Sequence, residues 1–473
     1  MRLLYFILIM FLLAACQPIK SNDINVPEFD ISEFKPGGEA TLKRLNTRTF
    51  IHPSGNLSLE DELDFWDGFS FFRDPWVAAP AATKDRDGLG PLFNARSCKA
   101  CHSRGGRGKL PNVGISKPMA LLIRLGNENN GAAIDENYGG QLQPFSITLS
   151  HQSLSTPIKG EADVKLQYQM LDGQYSDGTR YQLRKPHYDL VNLNYGELAE
   201  HTVLSPRYAP AIYGMGLLDA IKESDLLALQ DITDENADGI SAKYNKVPDV
   251  LNNKIALGRF GFKALHPSLA QQIAGAFVND IGITNPFFQT DTCTYIQVGC
   301  RQRSKIGGHD SQLEIPAKLH QLTEYMGQHV AVQPTRSLKN KKAQQGRSLF
   351  YQLKCDSCHQ PSFKTDDNYP VKELAGQKIW PYTDLALHDM GPGLSDGKAE
   401  FEANKNEWRT APLWGIGLQN RIQGYQAFLH DGRARTLEEA ILWHGGEAKA
   451  AQQKFIALDK PQREALIFFL KQI

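Results

Sequence analysis

Cys98-Lys99-Ala100-Cys101-His102 recurs later in the chain as Cys355-Asp356-Ser357-Cys358-His359, and this spacing decides how both stretches are read. On a helical turn, two cysteines three residues apart lie on one face, and a histidine four residues after the first joins them there. Each thiol can then add to a vinyl group of one porphyrin while the imidazole binds its iron, so the pattern predicts attachment of haem c. A redox dithiol and half of a zinc site share the C-x-x-C spacing. A dithiol has no need for the following histidine in both copies, and neither copy sits in the strand-to-helix context of a thioredoxin-like site. The expectation is two covalently bound haem c groups, with Cys98, Cys101, Cys355 and Cys358 as attachment points and His102 and His359 as iron ligands.

Outward from the motifs, the flanking sequence also recurs. Gly68-Phe69-Ser70-Phe71-Phe72 anticipates Gly346-Arg347-Ser348-Leu349-Phe350 ahead of each motif, and Arg207-Tyr208-Ala209-Pro210 with Gly214-Met215-Gly216-Leu217 reads against Arg409-Thr410-Ala411-Pro412 with Gly415-Ile416-Gly417-Leu418. Three echoes in one order predict a mainly α chain of two cytochrome c-like haem domains related by duplication, over 60–290 and 336–473, joined by a connector at 291–335. About twice as many residues separate His102 from Arg207 as separate His359 from Arg409. The excess, about 109–200, reads as a small antiparallel β insertion: Met119–Leu125, Val164–Tyr168 and Tyr181–Leu183 have strand composition, and Asp177-Gly178 is a turn signal. Such an insertion would shape access to the first haem. At the far end, Leu466, Phe469, Leu470 and Ile473 repeat at helical spacing and predict a terminal helix packed on Gly346–Leu353.

The first residues carry an address. Met1-Arg2 is a basic head, Leu3–Leu13 an apolar run too short for the roughly 20 residues that span a bilayer, and Leu13-Ala14-Ala15-Cys16 closes it. This resembles a lipoprotein signal over 1–15, with lipid on Cys16 and, given Gln17, outer-membrane sorting on the periplasmic side. Residues 16–59, polar and proline-bearing, read as a tether. Of seven cysteines, Cys16 takes lipid and four take haem, which leaves Cys293 and Cys300 for a disulfide in an oxidising compartment. With 52 basic and 52 acidic side chains the chain has no electrostatic footprint for nucleic acid.

Longer stretches then carry a resemblance. Asp87-Gly88-Leu89-Gly90-Pro91-Leu92-Phe93-Asn94-Ala95-Arg96-Ser97, Gly258-Arg259-Phe260-Gly261-Phe262-Lys263-Ala264, Tyr382–Gly391 and Phe428–Ala440 resemble the bacterial di-haem oxidoreductases, relatives of the di-haem cytochrome c peroxidases, over most of the chain from about residue 60. The resemblance implies a peroxidase that reduces hydrogen peroxide, its C-terminal haem taking electrons from a small periplasmic redox protein and relaying them to the N-terminal haem. In those peroxidases a methionine fourteen positions after the histidine of His-Asp-Gly ligates the electron-transferring haem; fourteen after His430 stands His444. Thr436-Leu437-Glu438-Glu439 has capping-box form, so a helix starts at Leu437 and Gly445-Gly446 stops it, leaving His444 in its last turn. There it is either a ligand or a histidine favoured by the helix dipole. His388 and Met390 are its rivals. Ligation by His444 would give a bis-His haem of lower potential than the relatives' His/Met haem.

Peroxide chemistry at the first haem needs an open or displaceable position and a nearby acid/base group, for which relatives use a glutamate. Asp219 and Glu223 are the nearest candidates by position, and Met119 and His201 are candidate distal ligands. Asp234, Asn236 and Asp238 resemble the start of a calcium loop, although Asn245 stands where the loop would need a bidentate glutamate; a solvated turn explains them equally. Trp76, Trp380 and Trp414 are candidate aromatics between the haems. Two other function classes stay open: an electron-transfer cytochrome with both irons saturated by protein ligands, and an oxidase of a partner protein.

Overall fold

A computed structural model describes residues 26–147, 157–304 and 317–473; the signal segment and Cys16 lie outside the described residues. Each haem motif is preceded by a helix that packs on a second helix through glycine. Asp61–Arg73 carries three acids in its first turn, where the helix dipole favours them, and turns Phe65, Gly68 and Phe72 inward. A Cβ on Gly68 would lie 2.0 Å from the Leu322 carbonyl oxygen, so only glycine lets this helix reach the Ala317–Gln328 helix. In the second half Asn340 caps Lys341–Gln352, and a Cβ on Gly346 would lie 2.0 Å from the carbonyl oxygen of Ala465 in Lys460–Leu470. Phe350 and Phe469 seal that pair with ring centroids 5.8 Å apart. The terminal helix thus packs where its apolar stripe predicts, and the repeated glycine has one physical cause in both halves. The first helix's partner, however, comes from the stretch read as a connector.

The insertion is antiparallel β. Asp163–Gln174 pairs with Arg180–Val191 in a long ribbon whose turn holds Gly178 at φ 84°; Gly114–Ser116 adds a third strand, and Leu121–Gly126 pairs with Val203–Tyr208. The ribbon is a brace between halves. Its tip sets the Tyr175 hydroxyl on Glu438 and the Arg463 guanidinium over the Tyr175 ring, while Arg184 donates to the carbonyls of Gly432 and Arg433.

The mainly α reading is corrected by the structure. Helix accounts for 29% and strand for 19%, the strands lying in several small sheets. Two separate cytochrome c-like domains are not found either. The largest core cluster draws Phe50, Phe65 and Tyr213 from the first half together with Leu374, Leu385 and Trp414 from the second. Repeated motifs mark local packing devices, and the residues around them pack across the whole molecule. The tether reading also fails from Val26 onward. Glu33 is buried on Arg347 at 2.8 Å, Val26, Phe29 and Phe34 pack on the second half, and Phe50 is fully buried. Low periodicity conceals this segment because it packs as extended chain and short 3-10 turns. Cys293 and Cys300 form the expected disulfide.

Candidate functional site

Both motifs open into one cavity of about 720 Å³. The first forms a single helical turn, Cys98–Cys101; the second forms a 3-10 turn, Cys355–Ser357, entered through Lys354 at φ 64°. His102 places Nδ1 2.7 Å from the Pro210 carbonyl oxygen, and His359 places Nδ1 2.9 Å from that of Tyr382. Each carbonyl accepts a hydrogen bond from Nδ1–H and fixes the tautomer, so the lone pair sits on Nε2, as a metal-binding imidazole requires. Burial lowers both pKa values, that of His359 to about 4, and keeps the rings neutral. The four motif cysteines are free thiols lining the cavity, and burial pushes Cys98 and Cys355 up to about 12. A redox dithiol needs the opposite shift. Among the described residues, no group of three or more His, Cys, Asp or Glu is placed to hold a metal ion, so a zinc site has no support.

His444 follows the Leu437–Leu442 helix and directs Nδ1 onto the Ala440 carbonyl oxygen at 2.7 Å, leaving Nε2 free toward the cavity. It lies close enough to His359 to depress that imidazole's pKa, as expected of two rings facing one space. His388 is a different case. Its Nδ1 meets Glu447 and its Nε2 meets Asp384, both at 2.8 Å, so neither nitrogen is available to iron. Met390 lines the cavity.

At the first motif the sequence candidates fall elsewhere. Asp219 and Glu223 line a separate polar pocket of about 300 Å³; Asp219 accepts from the Tyr369 hydroxyl at 3.0 Å, and Glu223 is exposed. Met119 is 49% exposed and His201 is exposed, and neither lines the cavity. The short Met215–Asp219 helix explains the miss: Met215, at its start, lines the cavity, whereas Asp219, at its end, lines the other pocket.

Two imidazoles that the sequence candidates did not include line the cavity, His266 and His430, the latter buried with no hydrogen-bond partner on Nε2 among the described residues. The Gln271 amide is oriented by Val250 N–H on its oxygen and by the Pro248 carbonyl on its nitrogen, so it presents N–H to His266 Nδ1 at 3.4 Å. Nε2 then carries the proton. Burial, then the Arg124 charge, lowers the His266 pKa to about 4. Asp280, raised to about 6 by burial, accepts from Gln141 at 2.7 Å and lies near enough to both Cys98 and Cys101 to raise their thiols. Gly258–Ala264, two residues upstream of His266, is a visible motif; nothing in its spacing indicates that the following histidine turns inward.

A buried ionic wall completes the cavity. Arg207 meets Asp396 at 2.9 Å and Glu400 at 3.2 Å, Lys263 meets Asp396 at 3.0 Å, and Arg124 and Lys398 approach Glu400. Four cations thus surround two carboxylates, and the buried Arg207 Nη1 has no hydrogen-bond partner. Arg409, equivalent to Arg207 in the sequence echo, donates to the Gly261 and Thr410 carbonyls and has no carboxylate partner among the described residues. Surplus buried N–H and positive charge suit the propionates of a haem. The residues present therefore fit the cofactor.

The two echo loops touch each other reciprocally. A Cβ on Gly214 would lie 2.3 Å from Trp414 Cζ2, and one on Gly415 would lie 3.0 Å from the Tyr213 ring. Tyr213 and Trp414 both line the cavity, whereas Trp76 and Trp380 do not. In the calcium-like loop, Asp234, Asn236 and Asp238 spend side-chain oxygens on backbone N–H groups of the same turn, and Asn245 is buried on the carbonyls of Lys263 and Glu400.

Fold and site together define a redox protein built to hold two haems. The chain belongs to the family described as "Di-haem oxidoreductase, putative peroxidase", whose model matches residues 31–473. No curated protein matches. Among solved structures, a xenon-pressurised hydrazine synthase of Kuenenia stuttgartiensis is similar over 92% of this chain and 96% of that chain, at 12% identity and a TM-score of 0.33.

Proposed function

We propose that this di-haem oxidoreductase is a hydrogen peroxide reductase of the periplasm, lipid-anchored through Cys16, with haem c attached at Cys98 and Cys101 and at Cys355 and Cys358. The observation that carries the reading is the asymmetry of the two histidine sites. His359 and His444 line the same cavity, each with Nδ1 tied to a carbonyl, which suits a saturated electron-transfer iron. On the His102 side stands His266, whose Nε2 bears a proton instead of a lone pair. Bound haem supplies iron for one-electron transfer and for cleavage of the peroxide O–O bond.

The rest is the work of side chains. His102 and His359 present fixed Nε2 lone pairs, and Arg207 and Arg124 would hold propionates. His266, neutral and buried, would direct its Nε2–H into the cavity as a hydrogen-bond donor to the departing peroxide oxygen. Trp414 and Tyr213 fill the contact between the two echo loops and offer a short aromatic route between sites. Electrons would come from a small periplasmic redox protein.

The test is the spin state of the purified protein, read by electron paramagnetic resonance and optical spectra, fully oxidised and half-reduced. A high-spin ferric signal that binds peroxide, with turnover lowered about 10²-fold or more in His266→Ala, is expected. Two low-spin haems in both states would leave an electron-transfer cytochrome.

A further inference from the structure

Among the described residues, nothing packs on the outer face of the Asp61–Arg73 helix. Leu59 is 84%, Leu63 66% and Trp66 42% exposed, and the three align at helical spacing on the side opposite Phe65, Gly68 and Phe72. Acids flank the stripe: Glu60, Asp64 and Asp67 are exposed along one edge, and Glu62 stands on the other. Exposed apolar surface with a charged rim marks a protein contact, and the sign of the rim selects the partner's charge.

The same helix connects this face to the first motif through aromatic rings. Trp66 meets Phe69 edge-on at 5.7 Å, Phe69 stacks on Phe72 at 6.2 Å, and Phe72 lies 6.3 Å from His102. No step in the ladder exceeds 6.3 Å, and its inner end is the proposed iron ligand.

We propose that this face docks a small basic redox protein and admits its electron at the His102 site. The inference rests on the di-haem reading and adds a partner surface to it. The electron leaves the partner's iron, which passes from ferrous to ferric, and arrives at the iron held by His102, which passes from ferric to ferrous; no bond changes and no proton moves. Peroxide reduction consumes two electrons, and this route stands beside the one through the His359 site. The rim argues against an anionic membrane as occupant, because acidic side chains would face like charge.

The experiment titrates the haem-loaded full chain with a basic mitochondrial-type cytochrome c by calorimetry, at low and high ionic strength, beside a peroxide turnover assay. Binding that weakens with salt, and that falls roughly tenfold or more in Trp66→Ser and in Asp64→Lys while Glu200→Lys, an exposed acid elsewhere, leaves it unchanged, is the expected result. Unaltered haem spectra would show that the variants fold. Affinity indifferent to both substitutions overturns the proposal even if peroxide is reduced. Specific binding without peroxide turnover keeps the docking face and removes the peroxidase reading. Self-association or vesicle binding that Trp66→Ser abolishes would assign the face to a second copy or to lipid, and also overturns it.

Discussion

At His388 both ring nitrogens meet carboxylates, which makes this buried histidine an ion-pair centre. Burial works against its charge, but the bonds to Asp384 and Glu447 raise its pKa well above the ordinary 6.5. A raised folded-state pKa gives stability that is whole below the unfolded value and is lost as pH climbs through the folded one. For Glu447, burial would raise the pKa, yet the His388 and Ser241 bonds prevail and lower it, so its contribution disappears as pH falls through that lowered value. Asp384→Asn removes one anion from the buried set and is expected to cost about 3 kcal/mol near neutral pH. Urea unfolding across a pH series checks this: the variant should lose stability at a lower alkaline pH than the parent. His444 poses the complementary question. His444→Met should leave that iron six-coordinate and raise its midpoint potential, within the roughly 0.8 V that axial ligands command, as a redox titration would show. A potential and spectrum unchanged by His444→Met would mean that His444 is only a helix-end histidine.

Among elements, the ribbon ties the two halves by long side chains. Arg184 donates to the Gly432 and Arg433 carbonyls at 3.1 and 2.9 Å, so Arg184→Ala should cost about 2 kcal/mol, read as a shift in the urea midpoint with unchanged slope. Elements with strong local patterns are legible in the amino-acid sequence. The terminal helix, the strands around Leu121 and Leu166, and the Asp177-Gly178 turn each have a period or a turn residue that acts within a few residues. What escapes such reading depends on long-range partners. Glu33 is held by Arg347 and His388 by Glu447, and no spacing rule joins either pair. The acid/base candidates fail because proximity in sequence to the Met215 loop is not proximity to the cavity, and five helical residues suffice to place Asp219 in another pocket. The haem-attachment reading needs only one turn of chain, and the structure sets both motifs' cysteines and histidines on one cavity.

Across the whole molecule, the echoes meet where the two loops cross. Gly214 sits at φ 74° against Trp414, and Gly415 sits at φ 69° against Tyr213, so each copy's aromatic covers the other copy's glycine. This contact belongs to neither half alone, and both of its aromatics line the shared cavity. Gly214→Ala would set a Cβ 2.3 Å from Trp414 Cζ2 and would strain a left-handed residue, so roughly 2 to 3 kcal/mol of stability should be lost. The informative consequence lies at a distance. Gly214 is in the loop whose Pro210 carbonyl orients His102, whereas the displaced Trp414 lies in the loop of Arg409 and Pro412 beside the second motif. If the reciprocal contact couples the sites, Gly214→Ala will shift the spectral and potentiometric signatures of both haems and slow electron equilibration between them. A disturbance confined to the His102 haem, with the His359 haem unchanged, would show that the two sites share a cavity without sharing a mechanical link.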